Sequence, residues 1–248
     1  MEDQGSSSGS AGTSGSSDDG TSGSDGWGES GSGKQTACDH EFFPMRTGST
    51  WTFNNGADTM VWVITDVQGD LDNASAMMTN TVGDVIIEYK WDCSSEDGLS
   101  SFDFATLGLQ DLGTEVTMDN MVMEGTFMLP ADQLELGAAW NLLLDGVLNI
   151  TQEAGGQTME INANLISDQT FEVIGSDPVS FEDQTVDGRQ IEESNTISIL
   201  MNVAGTEVAQ DVSIGSLMQL GSGIGIVRQD YTSDFGAETQ ELISFYIP

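Results

Sequence analysis

Positive charge is almost missing from this chain. Five Lys and Arg stand against 41 Asp and Glu, a formal net charge of −36 over 248 residues. Phosphate binding needs clustered Lys and Arg to displace counterions, which argues against nucleic acid as a partner. An anionic membrane surface repels the chain for the same reason. Cations, basic proteins, or a neutral ligand in an apolar cavity remain as partners. The bland account of the acidity is solubility, as in a salty medium. Long apolar runs are missing too. The most apolar stretch, 140–150, is interrupted by Asn141, Asp145, Gly146 and Asn149, whereas a membrane-spanning helix needs about 20 apolar residues. Met1 is followed by Glu2 and Asp3, without the basic and apolar regions of a signal peptide.

Reactive side chains are equally sparse. Cys38 and Cys93 are the two cysteines, and an even pair in an exported chain points to a disulfide. It would pin the start of the folded domain to the end of the strand over 86–91. Closing that loop of roughly 55 residues stabilises by roughly 4 kcal/mol in the chain-entropy picture. The rival is a metal site built from Cys38, Asp39, His40, Asp92 and Cys93, but structural zinc normally shows two close-spaced pairs. His40 is the sole histidine. A Ser–His–Asp triad would have to use it, yet no Gly-x-Ser-x-Gly elbow exists, so the expectation is a surface residue beside the disulfide. The glycines at 221, 223 and 225 look like a phosphate loop but lack the Lys and the following helix; a turn is expected. No motif implies a cofactor or names a catalytic residue.

What the chain does have is a Ser/Gly/Asp-rich beginning and a long β-patterned remainder. Residues 1–37 hold no Val, Ile, Leu or Phe. Such a segment cannot offset its ordering entropy and is expected to be disordered, with a reach of about 35 Å. It reads as a lipoprotein tether, with a lipidated Cys and its leader once ahead of Glu2; a plain disordered linker is the alternative. From Cys38 onward, short alternating runs are divided by hairpin dipeptides such as Asn55-Gly56, Gln68-Gly69, Gly155-Gly156, Asp187-Gly188 and Ala204-Gly205. Period 2 dominates over 59–67, 84–91, 114–127, 158–166, 195–203, 207–214 and 240–247. Helix-like windows lie at 133–144 and 213–220, taken as short helices or loops. About twelve strands in 38–248 imply an all-β antiparallel barrel, closed or open, or a strongly curved sheet. A Gly-x-x-Trp recurs at Gly48–Trp51 and Gly137–Trp140, which suggests related halves, 38–130 and 131–248.

The segments CDHEFFPMRTGSTWTF, LPADQLELGAAWN and GSGIGIVRQDYTSDFGAETQELISFYI resemble the opening, middle and end of a group of bacterial secreted and lipoprotein β domains. The resemblance spans 38–248 in outline. It departs at Leu220, where the group often has an aromatic ahead of its final Gly-x-Gly. It implies an exported envelope β domain and leaves activity open.

Two further features bear on function. Asp66, Asp70 and Asp72 surround one Gly-containing turn, and Glu182, Asp183 and Asp187 precede Gly188. Both are calcium candidates, although neither matches the EF-hand pattern, and solvated acidic turns are the plainer reading. Met118, Met121, Met123, Phe127 and Met128 crowd one region and Met77 and Met78 another. Soft thioethers suit an apolar or lipid-like ligand, or simply fill a core. Three functions follow: a non-catalytic, envelope-tethered binding or structural domain, with an envelope protein as a conceivable partner; a carrier of an apolar ligand in a barrel cavity; or a carboxylate-based hydrolase, which needs two buried acids in one cleft.

Overall fold

The computed structural model describes residues 35–248 except 57, 102–114, 155–156, 204–205 and 235, and leaves aside the side chains at 115–118, 150–154, 157–161 and 202–203. Residues 1–34 of the tether expected over 1–37, and one or two residues in each of four hairpin connections, lie outside the described residues. No described helix is long and apolar enough to cross a membrane.

The described domain is all-β. Its strands are β1 (Asp39–His40), β2 (Phe43–Pro44), β3 (Thr50–Asn55), β4 (Asp58–Gly69), β5 (Asn73–Val82), β6 (Val85–Ser94), β7 (Gly98–Ser101), β8 (Glu115–Gly125), β9 (Ala139–Ala154), β10 (Gln157–Gly175), β11 (Val179–Phe181), β12 (Gln184–Val186), β13 (Gly188–Val203), β14 (Thr206–Gly221), β15 (Gly225–Ser233) and β16 (Gly236–Tyr246). Twelve of them form one antiparallel sheet in the order β7-β6-β5-β4-β3-β16-β15-β14-β13-β10-β9-β8. Chain neighbours are sheet neighbours almost throughout, which makes an up-and-down meander. β6 illustrates why the sequence folds this way: Tyr89, Trp91 and Cys93 point inward and are buried, while Ile86, Glu88, Lys90 and Asp92 point out and are exposed.

The two edge strands meet where β7 reaches the segment that leaves β8. Leu99 N–H donates to the Met128 carbonyl, and the Leu99 carbonyl accepts from the N–H groups of Phe127 and Met128. That antiparallel bridge closes the ring into a barrel at one end. Gly98 permits it. It holds a positive φ of 89°, and a Cβ there would collide with the Met128 carbonyl oxygen.

The same end is plugged. Disulfide-linked Cys38 and Cys93 tie the β1–β2 hairpin to β6, and Phe42, Phe43 and Met45 of the hairpin are exposed by 1% or less. Even before Cys38 the backbone is engaged, since Ala37 N–H donates to the Asp70 carbonyl. An aromatic row crosses the barrel through Trp140, Phe171, Phe127, Trp91, Phe43 and Trp62, with successive ring centroids 5.3, 5.7, 5.5, 5.4 and 6.2 Å apart. The Gly-x-Gly turn serves this plug. Gly225, at φ 104°, leaves room for the Trp51 ring, whose indole N–H donates to the Ile224 carbonyl.

The two Gly-x-x-Trp segments make the same bonds. Gly48 N–H donates to Ile64, Ile64 N–H returns to Ser49, and Ser49 N–H donates to Arg46. Gly137 N–H donates to Val173, Val173 N–H returns to Ala138, and Ala138 N–H donates to Glu135.

Two expectations are corrected. The helix-like window 213–220 lies in β14, and the second half of 133–144 lies in β9, while its first half is the end of a 3₁₀ turn over Ala131–Gln133 and a loop. In β9 the outward Leu143 is as apolar as the inward Leu142 and Leu144, so alternation is hidden. In β14 the inward Ser216 sits between inward Ile214 and Met218 and breaks the apolar stripe. The turn expected at Gln68-Gly69 lies at 70–72, because Asp70 Oδ1 accepts from the N–H groups of Asp72 and Asn73.

Candidate functional site

Along β10, β13, β14 and β15 several inward positions are polar. Ser167, Asn195, Ser216 and Gln229 are all 5% exposed or less. They are held in two short relays. Gln169 Nε2 donates to Ser167 Oγ at 3.2 Å, and Ser167 Oγ donates to Asn195 Oδ1 at 2.9 Å. Gln229 Nε2 donates to Ser216 Oγ at 3.3 Å, and Ser216 Oγ donates to Glu193 Oε2 at 2.7 Å. Ser167, Gln169, Glu193, Asn195 and Gln229 line a cavity of about 110 Å³ in the lumen, several times what one water needs (about 10–15 Å³), and Ser216 stands behind them, holding Glu193 and Gln229.

Facing them stand Phe43, Trp62, Met78, Asn80, Tyr89 and Trp91. In the ring of twelve, β5 and β13 are six strands apart, so Asn80 and Glu193 approach the lumen from opposite sides. They also occupy corresponding positions relative to the two Gly-x-x-Trp segments. Trp62, two residues before the Ile64 that binds Gly48, pairs with Asn80. Phe171, two residues before the Val173 that binds Gly137, pairs with Glu193.

The cavity is electrostatically unfinished. Glu193 is the one carboxylate among the described lining residues. Burial pushes its pKa above the usual carboxylate range, with the Ser216 hydrogen bond opposing. Glu193 lines the cavity and is half-buried. Trp62 Nε1, Trp91 Nε1 and Asn80 Oδ1 are buried without a hydrogen-bond partner. Such groups cost about 1–3 kcal/mol each when left unsatisfied.

The sequence candidates are scattered around this lumen. Cys38 and Cys93 form the disulfide. His40 corrects an expectation: it is 7% exposed, inside the plug and not on the surface. Its Nδ1 accepts from Phe42 N–H and its Nε2–H donates to the Leu129 carbonyl at 3.0 Å, an arrangement that keeps the ring neutral. Burial lowers its pKa, against weaker opposing pulls from Leu129 and Glu41.

Asp66 lies on β4 and accepts from Gln68 Nε2, while Asp70 builds its turn. Glu182, Asp183 and Asp187 flank β12 and are exposed. Among the described residues no three acidic, His or Cys side chains converge as an ion site. Phe127 lines the lumen, as does Met78. Met123 packs against the core, whereas Met121 and Met77 face outward. The Met118 side chain lies outside the described residues. Sequence reasoning missed Glu193, Asn195, Ser167, Ser216 and Gln229. The available signal was polar residues at inward positions of period-2 strands.

No family model matches the chain, and no curated protein matches it. Two solved structures resemble it. One is a Parabacteroides distasonis chain described as a lipoprotein, 11% identical, with a TM-score of 0.50, covering 84% of this chain and 99% of its own length. The other is a Bacteroides fragilis chain described as exported with a YmcC-like fold, 14% identical, with a TM-score of 0.48, covering 84% and 100%.

Proposed function

We propose that this is a non-catalytic binding domain of the bacterial cell envelope that holds a small ligand in its barrel lumen. One observation carries the binding reading: buried, unpartnered groups of Trp62, Asn80 and Trp91 belong to residues that line a mainly apolar cavity into which amides and hydroxyls are set. A cavity meant only for filling would be apolar or closed by its own hydrogen bonds. The polar wall favours an amphipathic ligand over the purely apolar one that the methionines suggest. A carboxylate hydrolase needs a second acid beside Glu193, and the described lining residues supply none.

The envelope assignment draws on different support. A disulfide suits an oxidising compartment. The sequence resemblance and the lipoprotein description of the Parabacteroides chain agree with it. A lipid anchor ahead of the Ser/Gly segment would complete the tether.

A thermal-shift screen of the full chain against a small-molecule library tests the lumen. Ligands that raise the midpoint of the wild type should lose their effect in Ser167→Leu, which fills the polar wall. Equal shifts in both proteins would move binding elsewhere. Metabolic labelling with a clickable fatty acid tests the anchor, and an unlabelled natural product would rule it out.

A further inference from the structure

Glu193 is a half-buried, lumen-lining acid with no basic partner among the described residues. The described basic side chains are committed elsewhere. Arg46 bonds Asp39 and the Pro248 carbonyl, Lys90 bonds Asp92, and Arg228 bonds Asp230 and Glu241. Arg189 donates to the Leu134 and Gly188 carbonyls and lies 4.7 Å over the Phe42 ring. On the opposite wall, at the corresponding position of the other half, is Asn80, 5% exposed, with its amide oxygen unpartnered. The lumen therefore offers two acceptors aimed from opposite strands. Around them stand the rings of Phe43, Trp62, Tyr89 and Trp91, whose faces attract cations. The two free indole N–H groups ask for the reverse, an acceptor oxygen.

Resting on the lumen-binding reading above, we infer that the ligand is a small organic ammonium ion that also carries a hydroxyl or carbonyl oxygen. Its charged end sits between Glu193 and Asn80 against the aromatic rings, and its oxygen receives the Trp62 and Trp91 N–H groups. The ammonium supplies the missing counter-charge, which a neutral polyol would not. A chain of net charge −36 also concentrates small cations at its surface. A bare metal ion fits poorly, because no cluster of acidic, His or Cys ligands converges among the described residues.

The full chain is titrated, at physiological ionic strength, with choline and ethanolamine and in parallel with 3,3-dimethylbutan-1-ol, the uncharged isostere of choline, and with inositol. Binding is read by tryptophan fluorescence. The expected result is binding of at least one amine, with the isostere weaker than choline by about tenfold or more if choline binds. In Glu193→Gln, which keeps shape and removes charge, the preference for the amine should vanish while circular dichroism stays unchanged. Amine binding should also release protons in wild type and not in the variant. The other titratable lining groups, Tyr89 and Tyr231, are present in both proteins and cancel in that comparison. Binding of the isostere as tightly as choline, retention of the amine preference in Glu193→Gln, or no binding of either amine overturns the ammonium inference. Binding of inositol alone overturns it while leaving the lumen reading intact. If no probe binds, the ammonium inference falls and the library screen with Ser167→Leu decides the lumen reading by itself.

Discussion

Two titratable residues inside the barrel pull the stability of this protein in opposite directions with pH. Glu193 has a raised folded-state pKa, so its contribution is complete in acid and is lost as pH rises through that value. Glu193→Gln should therefore raise the thermal midpoint by a few degrees at neutral pH and leave it unchanged near pH 4, read by calorimetry. An unchanged neutral midpoint would mean the carboxyl is solvated. His40 has a depressed folded-state pKa, so its contribution is present above its ordinary value of 6.5 and is lost as pH falls toward the folded value. His40→Asn should flatten the acid limb of the stability profile while losing the midpoint height that the plug bonds provide. Neither role was legible in the sequence. A lone His without a motif reads as surface, and its burial depends on a carbonyl at Leu129, 89 residues away. Glu193 was one acid among 41, and only pairing of β13 with β10 and β14 turns it inward.

The strands were legible where one face was apolar and the other charged, as in β6, and illegible where both faces were apolar or the inside was polar, as in β9 and the second half of β14. Ser216, the polar inward residue that hides the second half of β14, is the one that holds Glu193 and Gln229 at the cavity. The seam between β7 and the segment after β8 was not foreseen at all, since it rests on one glycine's left-handed backbone. Gly98→Ala should cost about 1–3 kcal/mol through backbone strain and loss of the Leu99–Met128 bridge. Urea unfolding would measure it, and a neutral result would mean the barrel closes by other means. The recurring Gly-x-x-Trp was legible and has matching bonds in both places. We propose on that basis that the barrel is two related halves facing each other across the lumen.

At the scale of the whole molecule, the acidic surface has few internal partners. Four ion pairs involve only three basic side chains among the described residues. Self-repulsion should then oppose the compact state. Added monovalent salt should raise the thermal midpoint by shortening the reach of that repulsion to about 8 Å at physiological strength. Millimolar magnesium and calcium should act alike if they only screen. A much larger effect of calcium would make sites of Asp66, Asp70 and Asp72 or of Glu182, Asp183 and Asp187, and a midpoint indifferent to every salt would end the electrostatic account. The all-β barrel itself was foreseeable from hairpin spacing and alternation, while its closure and its plug needed long-range pairing to see. The disulfide at Cys38 and Cys93 has one more consequence, a mechanical one. A pull on the chain ahead of Cys38 is delivered through covalent bonds to the β6 wall, so the hairpin between Asp39 and Met45 carries no tension. Once that link is reduced, the same pull acts first on the hairpin, and drawing it out would uncork the aromatic end of the barrel.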